Sequence, residues 1–494
     1  MRRAPWPAAA WVGAGLLFAL LATANGAGYR YGGSDQAFYI PAIARALQPL
    51  AFPRDAPLID AQARLILVDE VLAAVVRHTG ASVDALFLAG YLLSLALTWA
   101  GIVLIGTRVY TSPWTTVALG AACTLRHRIS LTSANSFEPY FHPRMLAFAV
   151  GLLAIAALLR RRPWLAITLV AASAVVHATT AVWFAGLVGV ALGVLDPRLR
   201  RVVVGGAALV IAFLAWAVVA GPLRQAWAVM DPIWLQAVAS KDSLFADQWP
   251  AWAWAANLGT LALLWVAHLA RRRRGSSRPE DEAMAWGATA LVALFLLTLP
   301  AVAARLSLVV EFQVSRVFWL VDLLATVYAL AALTELTRHR QRAAGIAAAL
   351  LVGVSAARGV YIGVIEHPER PLFAVHLPAS PWQDAMGWIA RQPLSVHVLA
   401  DPGHAWKYGT SVRVSGGRDV FLEEVKDSAL AMYSRDVAVR VVERTAAVGD
   451  FLQMTGPRAR DLSARYDITY LVTEADLPLP MAYRNSQFRI YTLQ

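Results

Sequence analysis

Long apolar stretches separated by short polar turns fill the first three quarters of the chain, and their lengths suit membrane crossing. About 20 apolar residues are needed to cross roughly 30 Å of hydrocarbon, and somewhat fewer where a helix is flanked by arginine. On that measure the pattern predicts eleven spans, near 8–27, 82–106, 112–126, 144–159, 163–180, 182–196, 201–221, 252–270, 284–303, 317–336 and 342–362. From about Glu366 the periodicity changes. PWQDAMGWIARQ reads as a short helix with Ser380 as cap and Pro381 at its first position. LSVHVLADPG, the second half of LSARYDITYLVTEAD, and FRIYTL read as strands. The expected fold is therefore an α-helical polytopic membrane protein of about eleven transmembrane helices over 1–363, followed by a small α/β domain over 364–494.

Composition agrees with this division. Of 494 residues 58% are hydrophobic and 15% charged, and the mean hydropathy is +0.53, too little polar surface for a soluble chain of this length. The formal charge of +12 raises the question of nucleic acid, and the position of the charge answers it. Arginines cluster at 2–3, 160–162, 198–201, 271–274 and 338–342, in turns between apolar stretches. With Arg2 and Arg3 inside, an eleven-span path puts every one of these runs on the cytoplasmic side and the C-terminal domain outside. No nucleic-acid partner is expected. The basic start and apolar core of the N-terminus resemble a secretory signal, but the many later spans favour an uncleaved first helix. Cys123 is the only cysteine, so no intramolecular disulfide and no cysteine metal cluster can form. Lysine is nearly absent beside arginine, which reads as base composition.

The outer side receives the long loops. The first, 28–80, contains DQAFYIPAIARALQ and DAQARLILVDEVLAAVVRHTG; in the second, Leu65, Val68, Val71, Leu72 and Val75 fall at helical spacing, as in a helix lying on the membrane plane. Asp35, in YRYGGSDQAFYIP just beyond the first span, is the first candidate for chemistry. Its carboxylate can take a proton from an attacking hydroxyl or hold a metal ion; equally, Ser34 or Asp35 can cap the helix that follows. The segment RHRISLTSANSFEPYFHPR brings together Glu138, Tyr140, His142 and Arg144, groups that suit an anionic headgroup and a sugar, beside the plainer reading of interface aromatics and snorkelling cations. His177 stands inside an apolar run, where it either faces a cavity or makes a packing hydrogen bond. Arg305 and Arg316 flank an outer loop, against the positive-inside bias; a phosphate, or a salt bridge to Glu311 or Asp35, accounts for them. In ADPGHAWKYGTSVRV, His404 and Lys407 lie near the membrane surface, with a solvated loop as the ordinary reading. Trp234, Trp249, Trp252 and Trp254 can stack on sugars or form an interfacial aromatic belt.

The first span, the acid in GGSDQAFYIP outside it, the long amphipathic outer loop, the many further spans and the soluble C-terminal domain together resemble the GT-C superfamily of membrane glycosyltransferases. The ending YDITYLVTEADLPLPMAYRNSQFRIYTL is similar to the C-terminal segments of bacterial members. The resemblance implies a polyprenyl-phosphate-linked sugar as donor and a glycan, glycolipid or protein as acceptor, with membrane lipid around the site, in a bacterial cytoplasmic membrane with the C-terminal domain periplasmic. It implies Asp35 as catalytic base, with Glu138 as a second acid. Arg316, Arg305 and Arg144 would bind the donor phosphate, and His142, His177, Tyr140, His404 and Lys407 would line the acceptor cavity. Many members carry an acidic pair in the first loop, whereas Asp35 is followed by Gln36; this leaves a divalent metal open. The rival readings are a transporter or flippase of a lipid-linked glycan, and an inactive GT-C-like assembly subunit.

Overall fold

A computed structural model describes residues 6–125, 128–221 and 223–494; Arg2, Arg3 and His127 lie outside them. All eleven expected spans are helical, but among the described residues only eight helices are long and apolar enough to cross a membrane. These are Ala8–Asn25, Val83–Val109, Ala178–Leu195, Pro197–Val219, Ala251–Arg273, Pro279–Ala303, Ser307–Glu335 and Arg340–Glu366. The count of eleven is corrected to eight. Helices Pro113–Thr124, Pro143–Leu159 and Pro163–Val176 have 12, 17 and 14 residues, about 18, 26 and 21 Å at 1.5 Å per residue, short of a full crossing. Counting apolar residues does not register where the chain breaks. Each of the three starts on a proline at its first turn, where the missing N–H costs nothing. The third stops at His177, whose extended backbone cannot continue a helix.

The ends of the bundle are chemically distinct. Tyr29 and Arg30, just past the first helix, pair in parallel with Phe373 and Ala374, just past the last. Both helices therefore exit at the same end, and the C-terminal domain sits there. At the other end Glu280 pairs with Arg108 at 3.4 Å and with Arg161, and Arg271 with Asp281 at 3.4 Å. The positive-inside bias makes this arginine-rich end cytoplasmic and the domain extracytoplasmic.

The C-terminal domain is built on a five-stranded sheet. Its order is Asp419–Val420, His397–Leu399, Tyr470–Thr473, Arg489–Thr492, Met481–Arg484, with parallel pairing among the first three and antiparallel pairing beyond. His397–Leu399 is buried along its length, as a strand covered on both faces should be. Trp382, Met386 and Ile389 of helix Pro381–Ala390 pack on one face, and Leu462 and Ala459 of helix Gly456–Tyr466 on the other. Ser380 caps the first of these helices by accepting from the Gln383 amide at 3.1 Å.

The outer loops and this domain share a core. Phe52, Leu58 and Ile59 of the first loop pack with Trp234, Val310, Leu430 and Val437. The second amphipathic piece of that loop is not one helix: it takes in the end of helix Ala56–Ala63 and all of helix Val68–Thr79, and Asp69 within it is buried. Beside the shared core lies a buried charge cluster. Asp55 accepts from Arg413 Nε at 2.7 Å and from the Val420 amide at 3.0 Å, and also pairs with Arg440. Arg413 turns its other two nitrogens to Asp427, at 2.6 and 3.1 Å.

Candidate functional site

The turn that carries Asp35 has one glycine it cannot exchange. Gly32 has φ +80°, and a Cβ there would stand 2.5 Å from Leu377. Gln36, fully buried, accepts from the Gly32 amide at 2.6 Å and donates to the Phe141 carbonyl at 3.3 Å, clamping the turn to the segment before helix Pro143–Leu159. Asp35 makes no cap hydrogen bond to helix Gln36–Leu47. Its carboxylate points to other elements: Lys426 Nζ donates to Oδ1 at 2.8 Å, and the Tyr140 hydroxyl donates to Oδ2 at 3.3 Å.

His142 faces the same oxygen, its Nε2 3.5 Å from Oδ2. Its Nδ1 accepts the Arg144 amide at 3.0 Å, capping helix Pro143–Leu159. A neutral imidazole whose Nδ1 accepts carries its proton on Nε2, directed here at Asp35. Burial, with the Arg144 guanidinium beside it, pushes His142 down to about 4, so the ring is neutral at physiological pH. Burial alone would raise the Asp35 carboxyl; the Lys426 ammonium and the His142 hydrogen bond outweigh it and hold the group well below the usual carboxylate range. Asp35 is therefore ionised.

Behind this pair lies a second. Glu138 accepts from Arg144 Nη2 and from Asn135 Nδ2, both at 3.1 Å, and Glu138 and Arg144 are buried. The Arg144 guanidinium stands 5.9 Å over the ring of Trp319. Arg316, in the 3₁₀ turn Val314–Arg316, faces Arg144, Tyr39 and Asp35. The Nε atoms of Arg144 and Arg316 are buried without a hydrogen-bond partner, and among the described residues no carboxylate forms an ion pair with Arg316. Phe148 stacks on Trp319 at 3.8 Å, and the two border a narrow recess with Thr98, Ile102, Phe137, Leu152 and Asp322 among its lining.

The other expected residues fall elsewhere. His177 is the cap of helix Ala178–Leu195; its Nδ1 takes the Thr180 amide at 3.3 Å and the Thr180 hydroxyl at 2.9 Å, and its ring lies 6.2 Å from that of His142, at the edge of the site. Arg305 is paired with Asp247 at 2.9 Å and lies over Phe245, so neither Glu311 nor Asp35 neutralises it. His404 is enclosed in the C-terminal domain against Trp382, accepting the Val412 amide at 3.2 Å. Lys407 pairs with Asp401 at the surface. Trp234 is buried and donates to the Ala431 carbonyl at 2.7 Å, and Trp249 is buried against Phe295, so neither offers a stacking face. Trp252 remains exposed.

Lys426 was invisible in the sequence pattern, and so was Lys241, whose ammonium donates to the neighbouring Val425 carbonyl at 3.1 Å. One signal did exist. Lys241, Lys407 and Lys426 are the only lysines in the chain; Lys426 pairs with Asp35, and Lys241 bonds the residue before Lys426. Among the described residues no three His, Cys, Asp or Glu side chains gather as metal ligands. The two acids at the centre fit a cation poorly, because Lys426 and Arg144 already neutralise them.

No protein-family model matches the chain, and no curated protein does. Eight chains of solved structures match. One is the oligosaccharyltransferase of Archaeoglobus fulgidus in its apo form, to which this chain is similar at 13% identity and a TM-score of 0.45, over 94% of this chain and 69% of that one.

Proposed function

We propose that the protein is a membrane glycosyltransferase that moves a sugar from a polyprenyl-phosphate donor to a hydroxyl of an extracytoplasmic glycan, lipid or protein, in a bacterial cytoplasmic membrane. One observation carries the reading: the Asp35 carboxyl, held by Lys426, lies beside two arginines with unpaired buried Nε–H groups, at the extracytoplasmic end of the bundle. A phosphate suits Arg316 and Arg144, and a hydroxyl suits Asp35. In the reaction the acceptor oxygen forms a bond to the anomeric carbon while its proton passes to the Asp35 carboxylate. The bond from that carbon to the phosphate oxygen breaks with its electron pair, and a single displacement inverts the linkage. Charge developing on the leaving phosphate is stabilised by the guanidinium groups, which need no reorganisation as the charge appears. Glu138 orients Arg144 for this task.

The inactive-subunit reading has one observation in its favour, since protein groups already face both oxygens of Asp35. Purified protein in lipid nanodiscs, given a panel of radiolabelled polyprenyl-phosphate sugars with envelope lipids and glycans as acceptors, decides between them. Formation of a glycosidic product of inverted anomeric configuration supports the transferase; donor binding with no product from any member of the panel supports the subunit.

A further inference from the structure

The C-terminal domain places an ammonium on the central carboxylate of the site. Lys426 lies in helix Glu424–Leu430, and its ammonium passes 5.0 Å over the Phe38 ring to reach Asp35 Oδ1 at 2.8 Å. The next residue, Asp427, is held by both terminal nitrogens of Arg413, which in turn is held by Asp55 of the first outer loop; all three are buried. The ammonium is therefore delivered from a rigid anchor, unlike the exposed ion pair of Arg435 with Asp231, which joins the C-terminal domain to another outer loop at 2.6 Å. With Tyr140 and His142 on Oδ2, no oxygen of Asp35 is left facing an acceptor alone.

We propose that Lys426 is a positioning residue: its ammonium occupies and aims Oδ1 of Asp35 until an acceptor hydroxyl takes its place. This rests on the glycosyltransferase reading. Two opposed effects act on the carboxylate, burial disfavouring its charge and the ammonium favouring it. A hydroxyl that displaces the ammonium leaves burial less opposed, so the proton affinity of Asp35 rises with the acceptor in place. The carboxylate is a weak base while the site waits and a stronger one when the acceptor proton must be taken.

Other groups facing Asp35 are Tyr39 on the helix that follows it, Tyr140 and His142 ahead of helix Pro143–Leu159, and Arg144 in the first turn of that helix. Arg316, Tyr433 and Lys241 face it from three further segments. All of them stay when Lys426 changes, so a Lys426 variant isolates the ammonium.

The test is an infrared pH titration of the full chain in nanodiscs without substrate, with the Asp35 carboxyl band identified by its loss in Asp35→Asn. In Lys426→Met the protonation of Asp35 moves up by about 1–3 pH units, while Lys426→Arg and the docking control Arg435→Ala stay with the wild type. An unmoved titration in Lys426→Met, or an equal shift in Arg435→Ala, overturns the role of Lys426, whatever the turnover. A shifted titration with no product from any donor in the panel overturns the acceptor step, and the glycosyltransferase reading with it.

Discussion

Arg413 and Asp55 lie 358 positions apart in sequence and meet at 2.7 Å with both side chains buried. Through Asp427 the same guanidinium sets the helix that carries Lys426. The contact is therefore a hinge of the whole arrangement, joining the first outer loop, the C-terminal domain and the candidate site.

Removing one member of a buried ion pair leaves the other charged and without compensation, at about 3–5 kcal/mol. Arg413→Met should lower stability by that amount in chemical denaturation, and Arg435→Ala, at the exposed pair, by less than about 1 kcal/mol. The pH dependence follows from Asp55. Burial raises its proton affinity, but Arg413 and Arg440 overcome this and hold it well below the usual carboxylate range. Its contribution to stability is thus present above the unfolded value and is lost only as pH falls through the depressed folded one. Docking should survive acidification to pH 4 in the wild type.

Asp69 behaves in the opposite sense. It is buried, its Oδ1 lacks a partner, and burial, with Glu70 nearby, pushes it up to about 8. The folded state keeps a proton that the unfolded state has lost, so the contribution of this group is full below the ordinary carboxylate value and is lost as pH rises toward 8. Thermal unfolding in detergent should show the wild type losing stability between pH 5 and 8, and Asp69→Asn should flatten that slope.

The two outer arginines should separate in donor binding. Arg316 lacks a carboxylate partner among the described residues, whereas Arg305 is spent on Asp247. A charged hydrogen bond contributes about 1.5–3 kcal/mol, which is roughly ten- to hundred-fold in Kd. Arg316→Gln should weaken binding of a polyprenyl-phosphate sugar by that factor in a scintillation proximity assay, and Arg305→Gln should leave it within about twofold.

The positions of the membrane helices were legible because an apolar run and an arginine turn are local signals. Their lengths were less so: Pro113, Pro143 and the extended backbone at His177 cut three runs below a full crossing, and hydropathy does not see backbone breaks. Asp35 and the group Glu138, Tyr140, His142 and Arg144 stood out from their position just beyond a span. Lys426 did not, because its meaning comes from a contact 391 positions away. His404 and Lys407 read in sequence as a solvated loop, yet one is a packed core residue and the other a surface ion pair. Polar density in a sequence does not reveal which groups satisfy one another.

Transfer of radiolabelled sugar by wild type and Asp35→Asn, side by side in nanodiscs with donor binding measured on the same samples, tests the central claim most directly. Turnover should be lost in the variant while donor binding stays within a few-fold of the wild type. Equal turnover by both proteins would contradict the account and remove Asp35 from the chemistry.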